Sequence, residues 1–130
     1  MSSSIRLALR SALAGVAILL GAACGHFGFG GPDTGDALAI FSNESLDQAD
    51  VYAVAPGSDF VRIGTVFPGR TDTLRIPSSL VANGSGVNVV ARLLARSITP
   101  SSGNVMIRPG DVYSFRLPPD SRSILALPAR

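Results

Sequence analysis

Few side chains in this sequence could carry out chemistry. Cys24 is the only cysteine of the 130 residues and His26 the only histidine. A catalytic triad would need this histidine docked and oriented, and nothing in the sequence indicates that. Asp59, Asp72 and Asp111 fall in predicted turns, where aspartate hydrogen-bonds the backbone. We therefore predict that the protein is not an enzyme, and we expect no catalytic residues, no cofactor and no metal ion.

The most acidic stretch covers residues 43–50. Clustered oxygen ligands on a loop suit Ca²⁺, but an EF-hand loop needs its acids at alternate positions, and these acids do not have that spacing. We interpret the stretch as a solvated connecting loop.

The first 24 residues have the layout of an export signal. Arg6 and Arg10 lie in an N-terminal region without acids, and an uncharged apolar run over residues 12–23 follows them. This run is about 12 residues long, whereas a membrane-spanning helix needs roughly 20. We therefore predict a signal peptide over residues 1–23.

Cys24 directly follows residues 20–23 (LGAA), a leucine and three small residues. This pattern resembles the lipobox of bacterial lipoproteins, although Gly21 stands where that family usually has leucine. The resemblance implies cleavage before Cys24 and acylation of its thiol and its new amino terminus, with palmitate among the acyl chains. Two or three such chains anchor a protein stably in a membrane.

Residue 25 is a glycine rather than the aspartate that tends to retain lipoproteins in the inner membrane. The resemblance therefore favours a cell-envelope protein anchored in the outer membrane through Cys24. The alternative is an ordinary signal peptide cut elsewhere, which would release a secreted soluble domain.

Removal of the signal peptide changes the charge balance. The formal charge of +2 comes from Arg6 and Arg10, and from residue 24 onward nine arginines face nine acids. A mature chain without net charge gives no reason to expect a nucleic-acid partner. Residues 25–36 contain five glycines and one proline, which indicates a flexible tether over 24–36 before a domain at 37–130.

The rest of the sequence alternates short β-prone runs with turn residues, and residues 77–82 could form one short helical turn. In the longest run, Val87, Val89, Ala91, Leu93 and Ala95 share one face, and Val90 makes the opposite face only partly polar. Tyr113, Phe115 and Leu117 also share a face, as do Val61, Ile63, Thr65 and Phe67. The eight predicted strands are Ala37–Phe41, Asp50–Ala55, Phe60–Phe67, Thr73–Ile76, Val87–Ala95, Val105–Arg108, Val112–Leu117 and Ser123–Leu127.

These runs predict an all-β fold. We expect a two-sheet antiparallel sandwich of immunoglobulin or prealbumin-like type with seven or eight strands. A single sheet closed on itself is the alternative. The domain also resembles one found in uncharacterised bacterial lipoproteins, through Asn43, Val51-Tyr52, residues 62–65 (RIGT) and residues 109–111 (PGD). That resemblance implies no activity.

Three cations form a possible interaction face. Arg62, Arg92 and Arg116 fall on the predicted outer faces of three strands, and they would form a basic row if those strands shared a sheet. The alternative is that arginine is the solubilising cation of this chain, paired with nearby aspartates.

These observations favour a non-enzymatic structural or protein-interaction module of the envelope. An edge strand, Thr73–Ile76 or Val105–Arg108, could accept a strand from a partner protein. The second hypothesis is a module that binds a small ligand or a glycan, which would require a pocket lined by aromatic side chains. The lack of tryptophan argues against sugar stacking.

Overall fold

The computed structural model describes residues 35–129, which form eight strands and one helical turn. The predicted signal peptide, Cys24 and most of the predicted tether lie outside these residues. The helix α1 (Ser78–Val81) lies between the fourth and fifth strands. The strands are β1 (Ala37–Asn43), β2 (Ala49–Val54), β3 (Val61–Val66), β4 (Thr71–Ile76), β5 (Val87–Leu93), β6 (Ser101–Val105), β7 (Val112–Leu117) and β8 (Leu125–Pro128).

The strands form two four-stranded sheets, which confirms the predicted sandwich. Sheet A has the order β4-β1-β7-β8 and sheet B the order β3-β2-β5-β6. Sheet B is antiparallel, whereas sheet A is mixed because β1 and β7 run parallel, with Leu38 opposite Val112. Each sheet keeps two edges, so the alternative of a closed sheet is wrong. An immunoglobulin domain has its first two strands in one sheet. Here they lie in different sheets, which leaves the prealbumin-like alternative.

The core lies between the inward faces of the two sheets. The inward residues of β5, from Val87 to Leu93, are buried, and so are Phe115 and Leu117 of β7. The predicted alternation of inward apolar residues is confirmed in β5 and in β7, although β5 ends before Ala95. Phe41 of β1 is fully buried and lies opposite Phe115 in the parallel pair.

The predicted alternation of β3 is wrong beyond its third residue. Val51 pairs with Gly64 and Tyr52 pairs with Arg62, so β3 has one extra residue, a β-bulge. A bulge reverses which face the following side chains occupy. Val66 is therefore the buried residue, and Phe67 is 58% exposed.

The sixth strand lies earlier in the sequence than predicted, because it begins at Ser101 and ends at Val105. Its polar residues bind β5 through side chains: the Ser101 hydroxyl donates to Asn88 Oδ1 at 2.7 Å, and the Val89 N–H donates to Ser102 Oγ at 3.0 Å. A strand without apolar alternation carries little of the pattern that sequence analysis uses.

The sandwich has two ends, which we call the base and the tip. The chain enters β1 at the base and leaves it at the tip. At the base lie the α1 segment and residues 55–60 and 106–111, and at the tip lie residues 44–48, 67–70, 94–100 and 118–124.

Asp36 fixes the base. Its Oδ1 accepts a hydrogen bond from the Ser78 N–H at 2.8 Å, and its Oδ2 lies 3.5 Å from Arg75 Nε. Its carbonyl oxygen also accepts the Gly110 N–H at 2.9 Å. Asp36 was predicted as the last residue of the tether, but it is buried and packs as part of the domain.

Asn43 fixes the tip. Its Nδ2 donates to the carbonyl oxygens of Asp47 at 2.8 Å and Val66 at 2.9 Å. Its Oδ1 accepts from the N–H of Ser45 at 3.0 Å and from the Ser45 hydroxyl at 2.6 Å. The amide group is thus satisfied although it is fully buried.

Candidate functional site

The three arginines of the predicted interaction face do not lie in one sheet. Arg62 in β3 and Arg92 in β5 both belong to sheet B, with β2 between their strands. Arg116 in β7 belongs to sheet A. The structure therefore brings two of the three cations onto one face and places the third on the opposite side of the sandwich.

Arg116 is engaged by Glu44. Its Nε donates to Oε1 at 2.7 Å and its Nη2 donates to Oε2 at 2.9 Å, which is a bidentate pair. The hydrogen bonds from Arg116 lower the pKa of Glu44, and the same pair raises the pKa of Arg116. This cation is committed to a partner within the chain.

Arg62 is engaged by Asp50. Its Nη2 donates to Asp50 Oδ1 at 2.9 Å and also contacts the Thr65 hydroxyl, which itself donates to the same Oδ1 at 2.7 Å. The hydrogen bond from Thr65, followed by that from Arg62, lowers the pKa of Asp50. A further side-chain hydrogen bond from Gln48 acts in the same direction.

Arg92 has no ion pair among residues 35–129. Asp50 lies directly opposite it in the β2–β5 register. Thr65 and Arg62 both donate to Asp50 Oδ1, and no ion pair joins Asp50 to Arg92. The exposed guanidinium of Arg92 is therefore unpaired within the described residues.

Arg92 lines a concave region on the outer face of sheet B, which we call the Arg92 groove. Its other walls are Tyr52, Phe60, Val90 and Thr99, and its volume is about 340 Å³. Phe60 is 63% exposed, whereas Val90 is buried although it points outward from the sheet. The groove thus combines an apolar floor, two aromatic side chains and one unpaired cation.

Two other cavities border the described residues. One, of about 500 Å³, lies near the base beside Val54, Asn88 and Asn104. The other, of about 650 Å³, lies along the outer face of sheet A beside Ile40 and Leu127. Neither has a charged side chain among the described residues that line it, so the Arg92 groove is the more specific candidate.

The tip carries a second candidate surface, which we call the apolar rim: Leu46, Phe67 and Leu94. Leu46 is 85% exposed, Leu94 is 76% exposed, and Phe67 is exposed to a lesser degree. The Leu94 N–H donates to the Gln48 carbonyl at 3.1 Å. Ala49 of β2 pairs with Val66 of β3 on one side and with Leu93 of β5 on the other, so Phe67 and Leu94 flank Gln48 on opposite sides.

An ion pair lies beside the rim. Arg96 Nε is 2.6 Å from Asp47 Oδ2, although this N–H is not directed at the oxygen as a hydrogen bond requires. The local charge at the rim is thus largely neutralised, and the surface offered to a partner is apolar.

The groove was only partly visible in the sequence. The outward position of Val90 indicated a face that is not fully polar, and Arg92 was singled out. Phe60 was predicted as the first residue of a strand, whereas β3 begins at Val61, and Thr99 lies in a loop. Only the folded chain brings both beside Tyr52.

Residues 35–129 contain no group of three or more histidine, cysteine or acidic side chains that could hold a metal ion. In the same part of the chain, no helix has the length and apolar character needed to cross a bilayer. No known protein family matches the chain, and no curated protein matches it either.

Proposed function

We propose that this chain is a lipid-anchored lipoprotein of the bacterial cell envelope, held at the outer membrane through Cys24, and that its sandwich is a non-enzymatic interaction module. The lipobox-like residues 20–24 and the glycine-rich tether support the anchor. The apolar rim supports the interaction role, because three largely exposed apolar side chains lie at the same end of the sandwich, and exposed apolar patches mark interaction sites.

The position of the rim carries the proposal. Asp36 holds the start of the domain at the base, so a tether would attach the base to the membrane. The rim lies at the other end of strands of six or seven residues, which span about 20 Å. A tethered domain would therefore present the rim away from the lipid, where an apolar surface of another envelope protein is the partner that fits it.

The anchor is tested by the intact mass of the protein extracted from membranes, with Cys24→Ala as the comparison. A chain that begins at Cys24 with added acyl mass, absent from the variant, would support the anchor. An unmodified chain cut elsewhere would contradict it and would support the secreted soluble domain instead.

The rim is tested by a photo-crosslinking amino acid at position 46 or 94 of the full chain in its native cells. We expect an adduct of one constant mass, which is lost when Phe67→Ser is added. Met106 is also exposed, at 61%, and lies at the base, so crosslinking from position 106 is the matched control.

The adduct mass distinguishes the possible occupants of the rim. One recurring second protein that depends on Phe67 would support the proposal. A dimer of this chain, a lipid adduct, or equal crosslinking from position 106 would each contradict it.

A further inference from the structure

We propose that the Arg92 groove is a binding site for a small organic monoanion with a flat apolar group, such as an aromatic carboxylate. The site lies on the outer face of sheet B and is separate from the apolar rim. It therefore goes beyond the proposed function, and it does not depend on whether the chain is acylated.

The first argument is the charge of Arg92. Asp50 is its direct cross-strand neighbour, and such a pair would ordinarily form an ion pair. The β-bulge of β3 lets Thr65 and Arg62 approach Asp50 from the other side, and both donate to its Oδ1. Arg92 is left with unused donors, which suit an external carboxylate because a guanidinium can donate two parallel hydrogen bonds to it.

The second argument is the shape and polarity of the groove. Val90 forms an apolar floor, and Tyr52 and Phe60 stand beside it as aromatic walls. Aromatic rings favour offset stacking or edge contacts with another ring. An apolar surface with one convergent charged group is the common composition of a small-ligand site.

The third argument is size and charge, which narrow the class of ligand. The volume of about 340 Å³ is at the lower end of ligand pockets, which suits a ligand of one ring or two fused rings. Among residues 35–129, Arg92 is the only charged residue that lines the groove, which matches one negative charge better than two. Of the described wall residues, only Tyr52 and Thr99 are also polar, which is too few to satisfy the hydroxyl groups of a sugar.

The experiment uses the chain with Cys24→Ala, every other residue retained, and 2-naphthoate as the probe. Backbone amide signals in ¹H–¹⁵N spectra are followed during titration. We expect saturable shifts at residues 52, 60, 90, 92 and 99, and binding at least about fivefold weaker for the neutral analogue 2-naphthamide.

Two variants with matched controls test the cation and the aromatic wall of the site separately. Arg92→Gln should weaken naphthoate binding about tenfold, whereas Arg108→Gln removes an exposed arginine at the base and should leave binding unchanged. Phe60→Ser should also weaken binding, whereas Phe67→Ser removes an equally exposed phenylalanine at the tip and should not.

Each other outcome overturns the proposal. Absence of saturable shifts up to about 10 mM naphthoate would mean that the groove does not bind such anions. Equal binding of the amide would mean that Arg92 contributes nothing, and equal losses in the control variants would mean non-specific binding. The described residues that line the groove do not include the three rim residues, so failure of this test leaves the proposed function unaffected.

Discussion

The base and the tip of the sandwich are stabilised in different ways. At the base, Asp36 forms one ion pair and two hydrogen bonds that involve α1 and the segment before β7. At the tip, Asn43 fixes several backbone groups, and two of the four ion pairs within residues 35–129 involve its loops, Glu44–Arg116 and Asp47–Arg96. A third pair, Asp50–Arg62, joins β2 and β3 within sheet B.

This difference explains why apolar side chains at the tip can face solvent. The loop between β1 and β2 is held by hydrogen bonds to Asn43 and Ser45, both buried, rather than by its own apolar residue. Leu46 is therefore not needed to attach the loop to the core. A loop fixed by polar contacts can present an apolar side chain, and such a scaffold suits a binding surface.

The largest effect should come from replacing Asn43. Asn43→Leu removes four hydrogen bonds and leaves buried groups such as the Val66 carbonyl without a partner, so we expect the free energy of unfolding to fall by about 3 to 5 kcal/mol. Urea denaturation measures this. Asn104→Leu is the control, because Asn104 is exposed and makes one such bond, to the Ser85 carbonyl, and it should cost less than about 1 kcal/mol.

A smaller effect is expected at the base. Asp36→Ala leaves the Ser78 N–H without its acceptor and removes the pair with Arg75, which should cost about 1 to 2 kcal/mol. Asp36→Asn keeps an oxygen acceptor, so it should cost less in the same denaturation experiment. If Asp36→Ala destabilised as much as Asn43→Leu, the two ends would not differ as described.

Acid should weaken the tip more than the base. The folded state lowers the pKa of Glu44 from 4.5 and of Asp50 from 3.8, so their stabilisation is complete above these values and is lost as pH falls through the lower folded values. Hydrogen exchange of tip amides should therefore accelerate below about pH 4 before that of base amides. Asp50→Asn should reduce the pH dependence at the tip. Simultaneous loss of protection at both ends would contradict the comparison.

The smallest effect should come from the apolar rim. Leu46→Ser and Leu94→Ser change side chains that face solvent, so the free energy of unfolding should change by less than about 0.5 kcal/mol. Leu93→Ser is the control, because Leu93 is the buried neighbour and should cost several kcal/mol. A loss above about 1 kcal/mol in either rim variant would mean that the rim supports the fold instead of facing a partner.

The sequence predicted the two-sheet fold because apolar alternation is a local property. The inward residues of β5 and β7 were identified correctly, since both strands alternate regularly. The β3 bulge could not be seen, because it depends on how Val51 and Tyr52 pair with the strand rather than on β3 alone. The position of the polar strand β6 was predicted too late in the sequence because β6 itself lacks the apolar pattern. It is held in the sheet by its contacts with β5.

The candidate site was predictable only in its outline. Arg62 and Arg92 were recognised as outward cations, but the sequence does not show that Asp50 pairs with Arg62 and not with Arg92. This pairing follows from the position of Thr65 after the bulge, which is a tertiary property.

The predicted edge strands were correct in one case. β4 lies at an edge of sheet A, as predicted, whereas most of the predicted segment 105–108 lies after β6 and outside it.

The parallel pairing of β1 with β7 has a consequence for the order in which the domain can be built. β1 is the first strand of the domain, yet it is an inner strand of sheet A and needs residues 112–117 as its neighbour. Contacts this distant in sequence form slowly, because a long loop must close first. During synthesis, or any other delivery that starts at the N-terminus, sheet A therefore stays incomplete until nearly the whole chain has emerged. The fold of the domain is therefore completed only after β7 and β8 have joined sheet A.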